Sequence, residues 1–257
     1  MGYRVVAAGQ TDVGMKRGHN EDSLHVENPH QLYVVADGMG GHSSGEVASQ
    51  LAVETVLEFY LKTHEDEDKT WPFKMNRKYS YEENRMMVGV RYANRRIFDH
   101  AQADLRKKGM GTTIVSMFIN DEHAYIGHVG DSRVYVLREG SIRQITEDHS
   151  LLNDYMKIKK LTQEEIDNFP HKNVIVRALG MKGDVQVDVL KEDAREGDIF
   201  LMCSDGLSGL VSDPEMLDIG EKNADSLQQG CQDLIDLANK RGGNDNITVI
   251  LAKIVKE

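Results

Sequence analysis

The chain has 257 residues, 40% of them hydrophobic and 28% charged, with a formal net charge of −11 and two cysteines. That length and apolar content suffice for a sizeable globular core, and the acidic excess argues against nonspecific nucleic-acid or anionic-membrane binding, which needs clustered Lys and Arg. No apolar run approaches the roughly 20 residues of a spanning helix, the N-terminus lacks a signal-peptide pattern and both cysteines sit in apolar patterns, so one cytoplasmic domain over residues 1–257 with reduced thiols is expected.

In chain order, the first clear strand is predicted over Leu32–Ala36, a β-branched apolar run. Ser43-Ser44-Gly45-Glu46 has capping-box spacing, and Val47, Leu51, Val56, Leu57 and Tyr60 then recur at helical intervals. The stretch from His64 to Arg85 is charged and aromatic, holds Trp71-Pro72-Phe73 and shows no period, which reads as an inserted surface loop or a ragged start to the next helix. That second helix is marked by Met86, Val90, Ala93, Ile97, Ala101 and Leu105. Strands follow over Thr113–Ile119, Ala124–Val129 and Val134–Leu137, with turn signals at Asn120-Asp121 and Glu139-Gly140 that favour antiparallel hairpins over crossovers. Asp148 to Lys172 carries a short capped helix at Thr162-Gln163-Glu164-Glu165 and little apolar content, as expected of a mobile lid. Ile199–Cys203 and Ile247–Leu251 complete the strands, and Leu227, Cys231, Leu234, Ile235 and Ala238 mark a third helix. Grouped strands and paired helices predict an α+β fold with helices covering the outer faces of two packed antiparallel sheets.

Five aspartates terminate apolar runs beside glycine or asparagine: Asp22, Asp37, Asp131, Asp205 and Asp245. Any one of these taken alone reads as a turn residue. Together, spread over more than two hundred residues, they meet only if strand ends converge, and so many carboxylates repel one another unless cations neutralise them. With neither His nor Cys at ligand spacing, such a site is hard and suits Mg²⁺ or Mn²⁺. Carboxylates able to bridge imply two ions ~3.5–4 Å apart holding a water of lowered pKa, an arrangement suited to phosphate-ester hydrolysis.

The strings Thr11-Asp12-Val13-Gly14 through Arg17, Asn20-Glu21-Asp22-Ser23, Val35-Ala36-Asp37-Gly38-Met39-Gly40-Gly41-His42, Gly111-Thr112-Thr113, Gly130-Asp131-Ser132-Arg133, Thr146-Glu147-Asp148-His149-Ser150, Arg177-Ala178-Leu179-Gly180, Ser204-Asp205-Gly206-Leu207 and Gly243-Asn244-Asp245-Asn246-Ile247-Thr248 closely resemble the bacterial metal-dependent Ser/Thr protein phosphatases (PPM, or protein phosphatase 2C-like). The resemblance runs from about Gly9 to Leu251 in family order. It implies a β-sandwich flanked by helix pairs. It also implies a first ion on Asp37, Asp205 and Asp245, a second on Asp37 and the carbonyl of Gly38, Asp22 reaching them through water, and a third, weaker ion on Asp131 with Asp205.

Arg17, three residues before the Asn-Glu-Asp motif, suits a phosphate dianion because its guanidinium forks onto two oxygens; Lys16 is expected to point elsewhere, on strand alternation. The leaving alkoxide needs a proton donor. Many eukaryotic members carry His directly after the Asp-Gly pair; here Met39 stands there and His42 is the candidate, with a metal-bound water as the alternative. His19 and His149 read as loop or hydrogen-bonding residues. Three other readings are weighed: a cysteine-nucleophile phosphatase, disfavoured because no Cys-x₅-Arg motif is present; a silent scaffold, which would be expected to lose carboxylates; and a dedicated switch in a sigma-factor pathway. The expected substrates are Ser/Thr-phosphorylated proteins, and the expected partner a cognate Ser/Thr kinase.

Overall fold

The computed structural model describes residues 3–40, 44–65, 70–120, 122–167, 169–170 and 174–256. Its strands, numbered in chain order, are β1 (Tyr3–Asp12), β2 (Asp22–Glu27), β3 (Leu32–Met39), β4 (Gly111–Thr112), β5 (Ile114–Ile119) and β6 (His123–Val129), followed by β7 (Arg133–Arg138), β8 (Ser141–Gln144), β9 (Asp188–Asp193), β10 (Ile199–Cys203) and β11 (Ile247–Lys256). They make two sheets, ordered β1-β11-β10-β7-β8 and β2-β3-β5-β6-β9, with β4 paired to β3. Every pairing within them is antiparallel, as the turn signals predict.

The two-residue period of a strand explains the layering. On β3, Leu32, Val34 and Ala36 face α1 (Ser44–Glu65) and α2 (Tyr81–Ala103), while Tyr33 and Val35 face the other sheet with Val115, Phe200, Met202 and Ile250. On the far side, Tyr135, Leu137, Leu201 and Leu251 pack under α6 (Asp213–Lys222) and α7 (Leu227–Lys240). Strands covered on both faces become continuous apolar runs, which is why these were readable from the sequence. The result is a helix–sheet–sheet–helix stack, as expected.

Several boundaries move. The helix expected from Ser43 begins at Ser44, Ser43 itself lying outside the described residues. The second helix starts at Tyr81, where Ser80 Oγ accepts from Glu83 N (3.2 Å) and Glu83 Oε2 accepts from Ser80 N (2.8 Å), and it ends at Ala103, leaving Leu105 in a separate single turn. Before it, Trp71 packs edge-on against Phe59 at 5.6 Å, so the described part of the irregular stretch is a connecting segment held onto the helix layer.

The expected lid carries α3 (Leu151–Ile158) and α4 (Gln163–Asp167), the latter with the anticipated Thr162–Glu165 cap. Its low apolar content is not what distinguishes it. No side chain of α3 is buried, and Leu151, Tyr155, Met156 and Ile158 are exposed apolar groups.

Candidate metal centre

An antiparallel sandwich brings alternate strand ends to one edge, and all five aspartates lie there. Asp22 opens β2 and stands directly opposite Asp37 of β3. Asp131 lies in the turn between β6 and β7, Asp205 is the first residue of α5 (Asp205–Ser208) just after β10, and Asp245 precedes β11. Gly38 pairs with Thr112, and its N–H donates to the Glu21 carbonyl at 3.1 Å.

Neighbouring side chains fix the segments that carry Asp22, Asp37 and Asp131. Ser204 Oγ (2.8 Å) and Thr248 Oγ1 (2.6 Å) both donate to Asp22 Oδ2, tying β2 to the ends of β10 and β11. The Asp37 backbone is clasped by Thr112 Oγ1, which donates to its carbonyl (2.8 Å), and by Thr113 Oγ1, which accepts from its N–H (3.1 Å). The Asp131 turn is framed by His149, whose Nδ1 accepts from Gly130 N at 2.9 Å and whose N–H donates to the Gly130 carbonyl at 2.8 Å. Gly130 sits at φ +117°, and a Cβ there would come within 2.5 Å of Thr113 Cβ, so the turn accepts no other residue without moving Thr113. Arg133 grips Asp148 (2.7 Å) rather than Asp131.

The electrostatics are those of acids crowded together. Burial first, then the charges of Asp22, Asp205, Asp131 and Asp245, push the Asp37 carboxyl well above the ordinary carboxylate range. Burial raises Asp22 to about 7 against the opposing hydrogen bonds from Thr248 and Ser204, and burial with Asp205 raises Asp131 to about 7. Asp205 is raised by burial and Asp245. Asp22 Oδ1 and Asp131 Oδ1 are buried without a hydrogen-bond partner. Hard oxygen donors, mutually destabilised and partly orphaned, are the donor set a divalent cation stabilises, since its charge inverts each of these shifts. The residues present therefore fit Mn²⁺ or Mg²⁺ in donor chemistry. Among the described residues no three His, Cys, Asp or Glu side chains enclose one point as they stand; Asp245 is drawn instead to Arg17 Nη2 (2.6 Å) and to Asn246 N (2.8 Å).

Arg17 lies in the loop joining β1 and β2, not on a strand, so strand alternation says nothing about Lys16. His42 lies outside the described residues. A cleft of about 430 Å³ runs from Asp131, Asp205 and Asp245 to the base of α3 at Ser150 and Asn153. His128, which the motifs passed over, is fully buried behind the Asp131 turn and stacked on His149 at 4.7 Å.

A family model described as protein phosphatase 2C matches residues 15–252. The serine/threonine phosphatase stp of Listeria welshimeri is 37% identical over 251 residues, covering 95% of this chain and 94% of that protein. The protein phosphatase PhpP of Streptococcus pneumoniae is 35% identical over 253 residues, 96% of each. Among solved structures, the serine/threonine phosphatase PstP/Ppp of Mycobacterium tuberculosis superposes with a TM-score of 0.85 at 32% identity, over 98% of this chain and 100% of that one. A catalytic domain of PstP, in complex with two manganese ions, gives 0.80 at 33% identity over 99% and 100%. Because the match runs from the Arg17 loop through all five convergent aspartates and extends over both sheets, the chain belongs to the protein phosphatase 2C family and is a serine/threonine protein phosphatase.

Proposed function

We propose that the chain removes phosphate from serine and threonine side chains of proteins at a two-ion centre on Asp37, Asp205 and Asp245. The observation that carries this is the meeting of five carboxylates at one sandwich edge, with buried oxygens of Asp22 and Asp131 left unpartnered. Asp37, Asp205 and Asp245 would hold one ion, Asp37 and the carbonyl of Gly38 a second, and Asp131 with Asp205 a third, weaker one. Mn²⁺ or Mg²⁺ bound there supplies positive charge at the phosphoryl group and a water acidified for in-line attack.

The remaining work falls to side chains. Arg17, exposed on its loop beside the aspartates, takes the phosphate oxygens through its forked N–H groups. Asp22, fixed by Ser204 and Thr248, presents its free Oδ1 as an acceptor for water. His42 is assigned as proton donor to the leaving alkoxide on its place in the sequence. A phosphocysteine route is disfavoured: Cys203 and Cys231 are buried, and burial pushes both thiols up to about 12. The cleft leading to α3 suits a polypeptide flanking the phosphorylated residue. Reversal of a Ser/Thr kinase, in a cytoplasm that keeps both cysteines reduced, follows as the setting.

The reading is tested by Asp37→Ala and Asp205→Ala. Turnover of a phosphothreonine peptide should fall by orders of magnitude while thermal unfolding still shows a cooperative folded protein; near-wild-type turnover in either variant refutes it.

A further inference from the structure

Asn246 follows Asp245 directly and is buried, 5% exposed. The three hydrogen bonds of its amide all go to a segment more than two hundred residues away in sequence. Nδ2 donates to the carbonyls of Val13 (3.0 Å) and His19 (3.1 Å), and Oδ1 accepts from Glu21 N (2.8 Å). One side chain thus fastens the entrance and exit of the β1–β2 loop, with Arg17 on the span between. The loop's own backbone adds a second, weaker tether, Met15 N and Lys16 N donating to Gly243 O at 2.8 and 3.2 Å. At Gly14, φ +76°, an added Cβ would lie 2.1 Å from the Asp245 carbonyl, so the span is pressed against the aspartate loop.

We infer that Asn246 is a positioning residue for Arg17: by clamping both ends of the loop to the Asp245 turn, it sets the guanidinium's place relative to the carboxylate cluster. The inference rests on the proposed phosphate role of Arg17. An exposed arginine on an unclamped loop samples many positions, and each must be given up when phosphate binds, so the clamp lowers the entropic cost of that contact. Asn suits the task because it offers two donors and an acceptor in one plane; Asp at the same size would face two carbonyls with a negative oxygen.

The test is a double-mutant cycle at saturating Mn²⁺ on p-nitrophenyl phosphate and a phosphothreonine peptide, with Arg17→Ala, Asn246→Ala and the pair, alongside timed native trypsin digestion mapped at Lys16 and Arg17. Asn246→Ala should raise KM about tenfold with kcat much less affected, a uniform loss of binding. In the Arg17→Ala background the same change should move KM by less than about twofold, since residues acting as one unit are not additive. Cleavage after Lys16 and Arg17 should quicken in Asn246→Ala. An unchanged KM, an equal effect in both backgrounds, or unaltered cleavage overturns the inference. If Arg17→Ala itself leaves KM unchanged, the phosphate reading fails instead, and the digestion still decides whether Asn246 holds the loop. Should Asn246→Ala not fold, Asn246→Asp, which keeps the acceptor for Glu21 N but turns a negative oxygen towards the Val13 and His19 carbonyls in place of the two donors, carries the same arms.

Discussion

Arg17 Nη2 donates to Asp245 Oδ2 across 2.6 Å, which puts the proposed phosphate ligand on a proposed metal ligand. Both side chains are substantially exposed, 51% and 37%, so the pair contributes no more than about 1 kcal/mol, far less than a divalent ion gains from a carboxylate. Arg17→Ala should therefore leave Mn²⁺ binding intact or tighten it by up to about fivefold, the equivalent of that 1 kcal/mol, while raising KM; Arg17→Lys should restore KM only in part, a point charge lacking the fork. Calorimetric titration with Mn²⁺ checks the first half. Weaker Mn²⁺ binding in Arg17→Ala would contradict it.

The clasp on Asp22 gives a second expectation. Thr248→Val keeps shape and removes the donor at 2.6 Å to a buried carboxylate. At pH 8, above the raised Asp22 value, the ionised group loses a charge-assisted bond, and stability should drop by about 1.5–3 kcal/mol. Urea unfolding in EDTA measures this. A loss within the error of the extrapolation would mean that Ser204 alone satisfies Asp22.

How much of this was legible varies with what a residue reports about itself. The aspartates are readable because each lies at a strand end beside a turn, and β3, β5, β10 and β11 because burial on both faces leaves few polar interruptions. The strands β1, β2, β8 and β9 carry no such run: part-exposed, they interleave polar residues, as in Asp22-Ser23-Leu24-His25-Val26-Glu27, and β4 is only two residues long. For α6 the signal is local, Ser212-Asp213-Pro214-Glu215 being a capping box with an early proline. Ser204, Thr248 and Asn246 carried no local sign of their role, since their partners lie 182 to 233 residues away.

His128 supplies a pH expectation. Burial first, then His149, lowers it to about 3 from 6.5. Between those values the unfolded chain binds the proton and the folded chain does not, so the stability tied to this residue falls as the pH drops from 6.5 towards 3, by at most about 1.4 kcal/mol per unit. Asp22 and Asp131, raised to about 7, act oppositely, since the folded state holds their protons longer. The difference between wild type and His128→Phe, whose ring cannot titrate, isolates the histidine: their stability gap should shift in favour of the variant below pH 6.5. Parallel curves from pH 7 to 4 would exclude it.

Helix α3 buries none of its side chains and leaves Leu151, Tyr155 and Ile158 exposed, Tyr155 resting on Phe169 with ring centroids 5.3 Å apart. With the cleft ending at its base, replacing Leu151, Tyr155 and Ile158 by Ser should lower phosphopeptide turnover severalfold and leave p-nitrophenyl phosphate turnover within about twofold, the small ester being too short to reach α3. Equal losses on both substrates would make the segment structural.

The convergent aspartates work only as a cation centre on the proposed reading. That reading is tested most directly by stripping the protein with EDTA, confirming the loss by elemental analysis, and then following calorimetric Mn²⁺ binding and phosphothreonine-peptide turnover on the same sample. The stripped protein should show negligible turnover, two ions should bind tightly on titration with turnover rising alongside, and Asp205→Asn should lose both. Full turnover in protein shown to hold neither Mn²⁺ nor Mg²⁺ would contradict it.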